Sequence, residues 1–126
     1  MDELVIAMIS DVFFGNDAKE RLSVRLHEAK TSGADLAVLP EIACNPWSPS
    51  TKIVRDEDAE ELGGPRCTMQ SEAAKEVGIG LIGSAILSSP SRRFNTCLFW
   101  DAKGELLGTY QKHHIPEEEG FWETSH

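Results

Sequence analysis

The chain has 126 residues, with 12 lysines and arginines against 21 aspartates and glutamates, which gives a net charge of −9 at pH 7. This length suits one domain, and so acidic a surface repels phosphate backbones and anionic lipids, which argues against nucleic-acid and membrane binding. No stretch approaches the roughly 20 consecutive apolar residues of a membrane span.

The three cysteines, Cys44, Cys67 and Cys97, are odd in number and widely spaced, and they form no C-x-x-C pair. This pattern indicates neither a zinc site nor a disulfide framework, and it fits a reducing compartment. The acidic start Met1-Asp2-Glu3 lacks the features of a signal peptide. We therefore predict a cytoplasmic protein. The sequence implies no metal and no organic cofactor.

The first third of the chain predicts a strand, a helix and a second strand. The continuous apolar run at 4–9 predicts a strand that is covered on both faces. Apolar residues at helical spacing predict a helix over 18–32, which Gly33 ends. A second apolar run at 36–39 stops at Pro40. This order is typical of an α/β fold.

The rest of the chain predicts an irregular segment, a second helix and three strands. Residues 43–64 look irregular, and the charge run at 55–61 is interpreted as a solvated face, with one helical turn as the alternative. Pro65 suits the first turn of a helix that Gly78 ends. Strands are predicted at 79–87, 94–100 and 106–111, and a turn at 101–104 joins the last two as a hairpin.

One glycine pattern resembles a nucleotide fingerprint but has the wrong context. Residues 78–83 read Gly-Ile-Gly-Leu-Ile-Gly, which matches G-x-G-x-x-G. That fingerprint requires a strand before the glycines and a helix after them. Here a helix ends at Gly78 and a strand follows, so we interpret the glycines as sites of close packing.

Two charged residues stand where chemistry is possible. Glu41 follows the buried strand 36–39, at the sheet edge where α/β proteins bind ligands, and could act as a general base. Lys112 ends the last strand and could face a developing oxyanion. Taken alone, each is better explained as an ordinary surface residue. The adjacent His113 and His114 point to opposite faces of a strand, which argues against a metal site.

Three blocks resemble the nitrilase superfamily of carbon–nitrogen hydrolases. Leu39-Pro40-Glu41 resembles the segment with the catalytic glutamate, residues 94–106 resemble the hairpin before the catalytic lysine, and residues 110–116 resemble the lysine segment. The resemblance implies an α-β-β-α sandwich, of which residues 1–126 form the N-terminal half as a partial domain. It implies Glu41 as general base, Lys112 as oxyanion stabiliser, and Glu123 and His114 as substrate-positioning residues.

In this family a cysteine thiolate attacks the substrate carbon, but no cysteine follows Lys112 here. Cys44 lies close to Glu41 in sequence, Cys67 lies where a helix N-terminus could lower its pKa, and Cys97 looks like a core residue; none matches the position of the nucleophile. We therefore predict that this chain alone is inactive. A non-catalytic binding remnant and one half of a split enzyme are the alternatives.

The segment after Lys112 most resembles the N-carbamoyl amine and amino-acid branch, which implies a small amide or carbamoyl substrate. The acidic cluster at 117–119 would suit a cationic amine, although a solvated surface explains it equally well. An incomplete sandwich leaves an apolar sheet face uncovered. We therefore predict self-association into a homo-oligomer, or pairing with a complementing C-terminal half.

Overall fold

The computed structural model describes residues 3–46, 55–90 and 92–114. Its elements, in chain order, are β1 (Ile6–Met8), α1 (Ala18–Thr31), β2 (Leu36–Val38), a single 3₁₀ turn (Asp56–Asp58), α2 (Pro65–Val77), β3 (Gly80–Ser88), β4 (Arg93–Trp100) and β5 (Leu106–Gln111). They form one sheet of order β1-β2-β3-β4-β5. Strands β1, β2 and β3 are parallel, and β4 and β5 continue the sheet antiparallel. The predicted elements are confirmed, and across the described residues no helix could cross a membrane.

Both helices pack against the same face of the sheet. The buried side of α1 repeats at helical spacing and joins α2 and the sheet in one core cluster, which includes Leu22, Leu26, Ala74, Leu81 and Leu98. Pro65 occupies the first turn of α2, and Gly78 ends that helix with φ of 74°, a left-handed conformation that glycine adopts without strain. The main core therefore lies between the helices and one side of the sheet, and Ile42 and Ile86 form a small second buried cluster.

The opposite side of the sheet is apolar and is exposed along β1. Strand register aligns Met8, Val38, Ile82 and Phe99 in one row on this side, which we call the open face. Met8 is 82% exposed and Ile6 is 48% exposed. The prediction that the first strand is covered on both faces is therefore wrong. The described part of the chain supplies helices for one side of the sheet only, whereas the apolar run has apolar side chains on both sides.

The charge run at 55–61 is only partly solvated, so this prediction is wrong for two of its members. Asp58 and Glu60 are both 8% exposed. The Glu60 carboxylate accepts the backbone N–H groups of Arg66 and Cys67 at 3.0 Å and pairs with the Arg66 guanidinium at 3.3 Å. The first turn of a helix leaves N–H groups without partners inside the helix, and a carboxylate there satisfies them. The charge run thus anchors α2.

The glycines of the false fingerprint lie as the sequence predicted. Helix α2 ends at Gly78, and β3 begins at Gly80. A side chain at Gly83 would collide with the amide oxygen of Gln70, which α2 presses against this strand. Gly83 therefore serves the close approach of helix and sheet.

Candidate active site

Glu41 lies just beyond the carboxyl end of β2, on a backbone that is held in an unusual shape. The next residue, Ile42, has φ of 39°, a left-handed conformation that costs a β-branched residue of order 1–3 kcal/mol. Its N–H donates to the hydroxyl of buried Ser84 at 2.6 Å. The hydroxyl of β3 thus holds the turn that fixes where Glu41 leaves the sheet.

Lys112 reaches the same place from the far edge of the sheet. Its backbone N–H donates to the carbonyl of Asn95 at 2.8 Å, which extends the β4–β5 pairing by one residue. Its Nζ donates to Oε1 of Glu41 at 2.7 Å, across 71 residues of sequence. The Lys112 side chain is 26% exposed and that of Glu41 is 51% exposed, so the ion pair lies at the surface of the sheet. The structure therefore brings the two predicted residues together.

Asn95 is a third member of this cluster, and the sequence interpretation assigned it no role. Its Nδ2 donates to the same Oε1 of Glu41 at 2.7 Å, and the residue is only 4% exposed. A polar residue near the start of a strand that is otherwise rich in apolar residues is the signal that could have singled it out, because such a group needs a partner when the strand is buried. The carboxylate thus receives one neutral donor and one charged donor.

The cluster borders a cleft of about 510 Å³ on the open face. The floor and walls are formed by Val38, Leu39, Pro40, Ile82, Gly83, Ser84 and Cys97, and the polar rim by Glu41, Asn95, Tyr110, Lys112, His113 and His114. The Tyr110 and His113 rings stack at the rim with centroids 5.3 Å apart. An apolar floor with a few convergent polar groups is the usual form of a small-molecule site.

Of the two other predicted site residues, His114 and Glu123, the structure describes the position of His114. His114 is exposed and borders the cleft. Glu123 lies outside the described residues, as do most residues of the segment that resembles the N-carbamoyl branch. Among the described residues, no group of three or more histidine, cysteine or acidic side chains could hold a metal ion.

Burial keeps the thiols in their protonated form. Burial raises the pKa of Cys44 to about 11, although the Gln70 amide and Arg66 oppose this change. Burial likewise raises the pKa of Cys67 to about 11, so the prediction that a helix N-terminus lowers it is wrong. Cys67 is 1% exposed, and Glu60 already occupies the end of the helix. Neither thiol is a ready nucleophile, since the thiolate is the reactive form.

Cys97 differs from the other two because it borders the cleft. It lies in the middle of β4, as predicted, but its half-buried side chain faces the cleft and not the main core. Burial raises the pKa of this thiol as well. At neutral pH it therefore contributes a neutral, weakly polar group to the site.

A mixed sheet with two helices on one face, and a carboxylate–ammonium pair at its carboxyl edge, defines an α/β protein of the nitrilase type. The sequence model of the family described as carbon–nitrogen hydrolase matches residues 16–126. The chain belongs to this family. The relatives that it resembles include an omega-amidase and a bacterial amidase, so the family is of the amidase type.

Similar proteins agree with this assignment and are all longer. The omega-amidase NIT2 of Pongo abelii is 34% identical over 113 residues, which are 89% of this chain and 39% of that protein. A carbon–nitrogen hydrolase from Helicobacter pylori G27 has the same fold, with a TM-score of 0.77 and 22% identity over 96% of this chain and 44% of that one. A cysteine-to-alanine mutant of the amidase from Nesterenkonia sp. AN1, in complex with butyramide, gives a TM-score of 0.74 and 26% identity over 92% of this chain and 46% of that one. The chain thus spans less than half the length of these relatives.

Proposed function

We propose that this chain provides the glutamate and lysine of an active site that hydrolyses small amides. The observation that carries the proposal is the 2.7 Å contact between Lys112 Nζ and Glu41 Oε1 at the rim of an apolar cleft. Glu41 acts as general base and accepts the proton of the nucleophile. Lys112 donates to the oxygen that gains negative charge when the amide carbon becomes tetrahedral. A single well-placed donor of this kind is worth about 3–4 kcal/mol in the transition state.

The nucleophile is a cysteine thiol, as the family resemblance implies. Its proton passes to Glu41, its sulfur forms a bond to the amide carbon, and the C–N bond breaks as the leaving nitrogen takes a proton and departs as ammonia. Water then hydrolyses the thioester. Cys44 and Cys67 are buried with raised pKa values, and Cys97, although it borders the cleft, also has a raised pKa and does not match the position of the nucleophile in the family. We therefore propose that another cysteine serves as the nucleophile, either further along the same polypeptide or in a complementing one.

The substrate that the site favours is the terminal amide of a short aliphatic chain. The apolar floor, with Val38, Leu39 and Ile82, suits methylene groups, while the donors lie at one end of the cleft. The relative from Pongo abelii is named an omega-amidase, and the Nesterenkonia amidase was solved with butyramide. An N-carbamoyl compound is the second candidate, and it depends on the resemblance of the segment after Lys112.

Two further roles complete the proposal. His114, at the rim of the cleft, contacts the part of the substrate that lies away from the reacting amide. Glu123 positions Lys112 and the substrate, as the resemblance implies.

The open face, with its exposed Met8, is covered in the active protein by a complementing half or by a second copy of the chain. A cytoplasmic location remains a prediction from the cysteine pattern.

Binding of butyramide to the purified chain tests the assignment of the site. We expect saturable NMR shift changes confined to cleft residues, because the amide carbonyl accepts from Lys112 and the amide nitrogen donates to Glu41. In Lys112→Met and Glu41→Gln the affinity should fall about tenfold or more, the loss typical of one hydrogen bond to a charged group. Lys103→Met, in the distant β4–β5 turn, is the matched control and should bind as the parent does. Shift changes centred elsewhere would contradict the proposal.

Turnover by the chain alone is expected to be absent. Loss of the nucleophile from a catalytic unit of this kind costs on the order of a millionfold in rate. Ammonia release from butyramide and from an N-carbamoyl amino acid should therefore remain at the background level, in the parent, in Cys44→Ala and in Cys97→Ala alike. Release at the rate of a complete amidase, abolished in Cys44→Ala or in Cys97→Ala, would show that this chain contains its own nucleophile.

A further inference from the structure

The two donors on Glu41 converge on one oxygen. Asn95 Nδ2 and Lys112 Nζ both reach Oε1, each at 2.7 Å. Within the described ranges, no hydrogen-bond donor lies on Oε2. The two oxygens of this carboxylate are therefore inequivalent: one is occupied by the protein, and the other is available to a ligand.

The surroundings of Asn95 keep its amide in position to donate to Oε1 of Glu41. It is 4% exposed, and its position is fixed because its carbonyl accepts the Lys112 N–H at 2.8 Å. One residue thus contacts the backbone of Lys112 and the side chain of Glu41. The Asn95 amide carries no charge, so it continues to donate to Oε1 when the Lys112 ammonium donates to the developing oxyanion. A buried, satisfied amide of this kind also restricts the carboxylate to one orientation.

We propose that Asn95 is the positioning residue of the site, and that it directs Oε2 of Glu41 to the reacting groups; this inference rests on the proposed function. Asn95 and Lys112 occupy Oε1, so Oε2 accepts the proton. The new O–H bond forms on Oε2, the thiol keeps the electron pair of its broken S–H bond as thiolate, and Oε1 becomes the carbonyl oxygen of the neutral acid with both donors still in place. Asn95 acts through Glu41 and touches no reacting atom.

The test measures the orientation of Glu41 by NMR, using side-chain scalar couplings in the labelled chain. In the parent we expect one dominant Glu41 rotamer, and an Asn95 amide proton that is shifted downfield and moves upfield in Glu41→Leu. In Asn95→Leu, of similar size, we expect the Glu41 rotamers to average. The affinity for butyramide should also fall about tenfold, because Oε2 no longer faces the amide N–H.

An internal control separates positioning from folding. The backbone bond from the Lys112 N–H to the carbonyl of residue 95 does not need the asparagine side chain, so hydrogen-exchange protection of that N–H should persist in Asn95→Leu. Thr96→Val is a buried polar-to-apolar change on the same strand, at a hydroxyl that donates to the Phe94 carbonyl at 3.0 Å. It should leave both the Glu41 rotamer and the affinity for butyramide unchanged. If Asn95→Leu loses the protection, Asn95→Asp, of the same shape, replaces it and should displace Glu41 by charge repulsion.

A single Glu41 rotamer retained in a folded Asn95 variant would overturn the inference, as would a Thr96→Val chain that behaves like Asn95→Leu. The coupling measurement requires neither substrate nor turnover. If butyramide fails to bind the parent but Glu41 still loses its orientation in Asn95→Leu, the proposed function fails while the positioning role stands. If butyramide binds the parent and all Asn95 variants equally, the positioning role fails alone.

Discussion

Replacement of Glu60 by alanine is expected to lower the free energy of unfolding by about 3–5 kcal/mol, the range for removal of one partner from a buried ion pair. The Glu60 side chain is 5% exposed and that of Arg66 is 18% exposed, so little water is available to replace the lost contacts. The change leaves the Arg66 guanidinium without its carboxylate, and it leaves the N–H groups of Arg66 and Cys67 without their acceptor.

The backbone around Glu60 explains why the rest of the protein cannot adjust to this loss. Its N–H donates to the Ile86 carbonyl at 3.0 Å, and its own carbonyl accepts the Ser88 N–H at 2.8 Å. Two backbone hydrogen bonds therefore hold the residue against the end of β3. The carboxylate therefore joins the start of α2 to the sheet. No other carboxylate in the described ranges contacts these two N–H groups.

Urea unfolding of Glu60→Ala, Glu60→Gln and Glu61→Ala measures the effect. Glu60→Gln keeps an acceptor for the helix but loses the charge, so its stability should lie between those of the parent and Glu60→Ala. Glu61 is exposed, and its replacement should change stability by less than about 0.5 kcal/mol. Equal stability of Glu60→Ala and Glu61→Ala would show that the buried pair makes no net contribution.

Local pattern was enough to predict the secondary structure because each element is encoded in neighbouring residues. The apolar spacing of α1, the proline and glycine that bound α2, and the turn that joins β4 to β5 are all signals within a few residues. The predicted bounds of the last strand, 106–111, are those observed. Helix ends and strand ends differ elsewhere by a residue or two, since frayed termini depend on tertiary contacts.

The burial of individual residues was predicted less well, because burial depends on what packs opposite. The first strand is apolar on both sides, yet the described chain covers only one of them, which leaves Met8 exposed. The charge run looks solvated, yet Glu60 turns inward because α2 begins beside it. Cys67 lies at a helix N-terminus, where sequence alone favours a lower pKa, but burial dominates and raises it. In each case a long-range contact decides.

The site shows the same division. Neither Glu41 nor Lys112 is distinctive in its local sequence, and only the resemblance of three ordered blocks to a family predicted that they would meet. Asn95 lies within one of those blocks, but its contact with Glu41 bridges 54 residues and depends on the β2–β3–β4 register. Strand order and register, which no local pattern specifies, assemble the cluster.

Alkaline pH is expected to destabilise the fold through the two buried thiols. Burial raises the pKa of both Cys44 and Cys67 from 9.0 to about 11. Above pH 9 the unfolded chain therefore loses these protons while the folded chain retains them. The stability that the two thiols contribute is fully present below pH 9, falls as the pH rises towards 11, and no longer changes above pH 11. This follows because stability decreases with pH wherever the folded state binds more protons than the unfolded state. A difference of about two pKa units corresponds to roughly 3 kcal/mol per thiol.

Urea unfolding between pH 8 and pH 11 measures this loss, and cysteine variants assign it. Other groups also titrate in this range, so the informative quantity is the slope of stability against pH relative to the parent. In the double variant Cys44→Ala/Cys67→Ala, which should be less stable at pH 8 because small cavities remain, the slope should be much flatter. Each single variant should show about half of the difference in slope between the parent and the double variant. A double variant with the slope of the parent would mean that the two thiols ionise as readily in the folded chain as in the unfolded one, and the barrier that keeps Cys44 from acting as a nucleophile would then be lower than its burial implies.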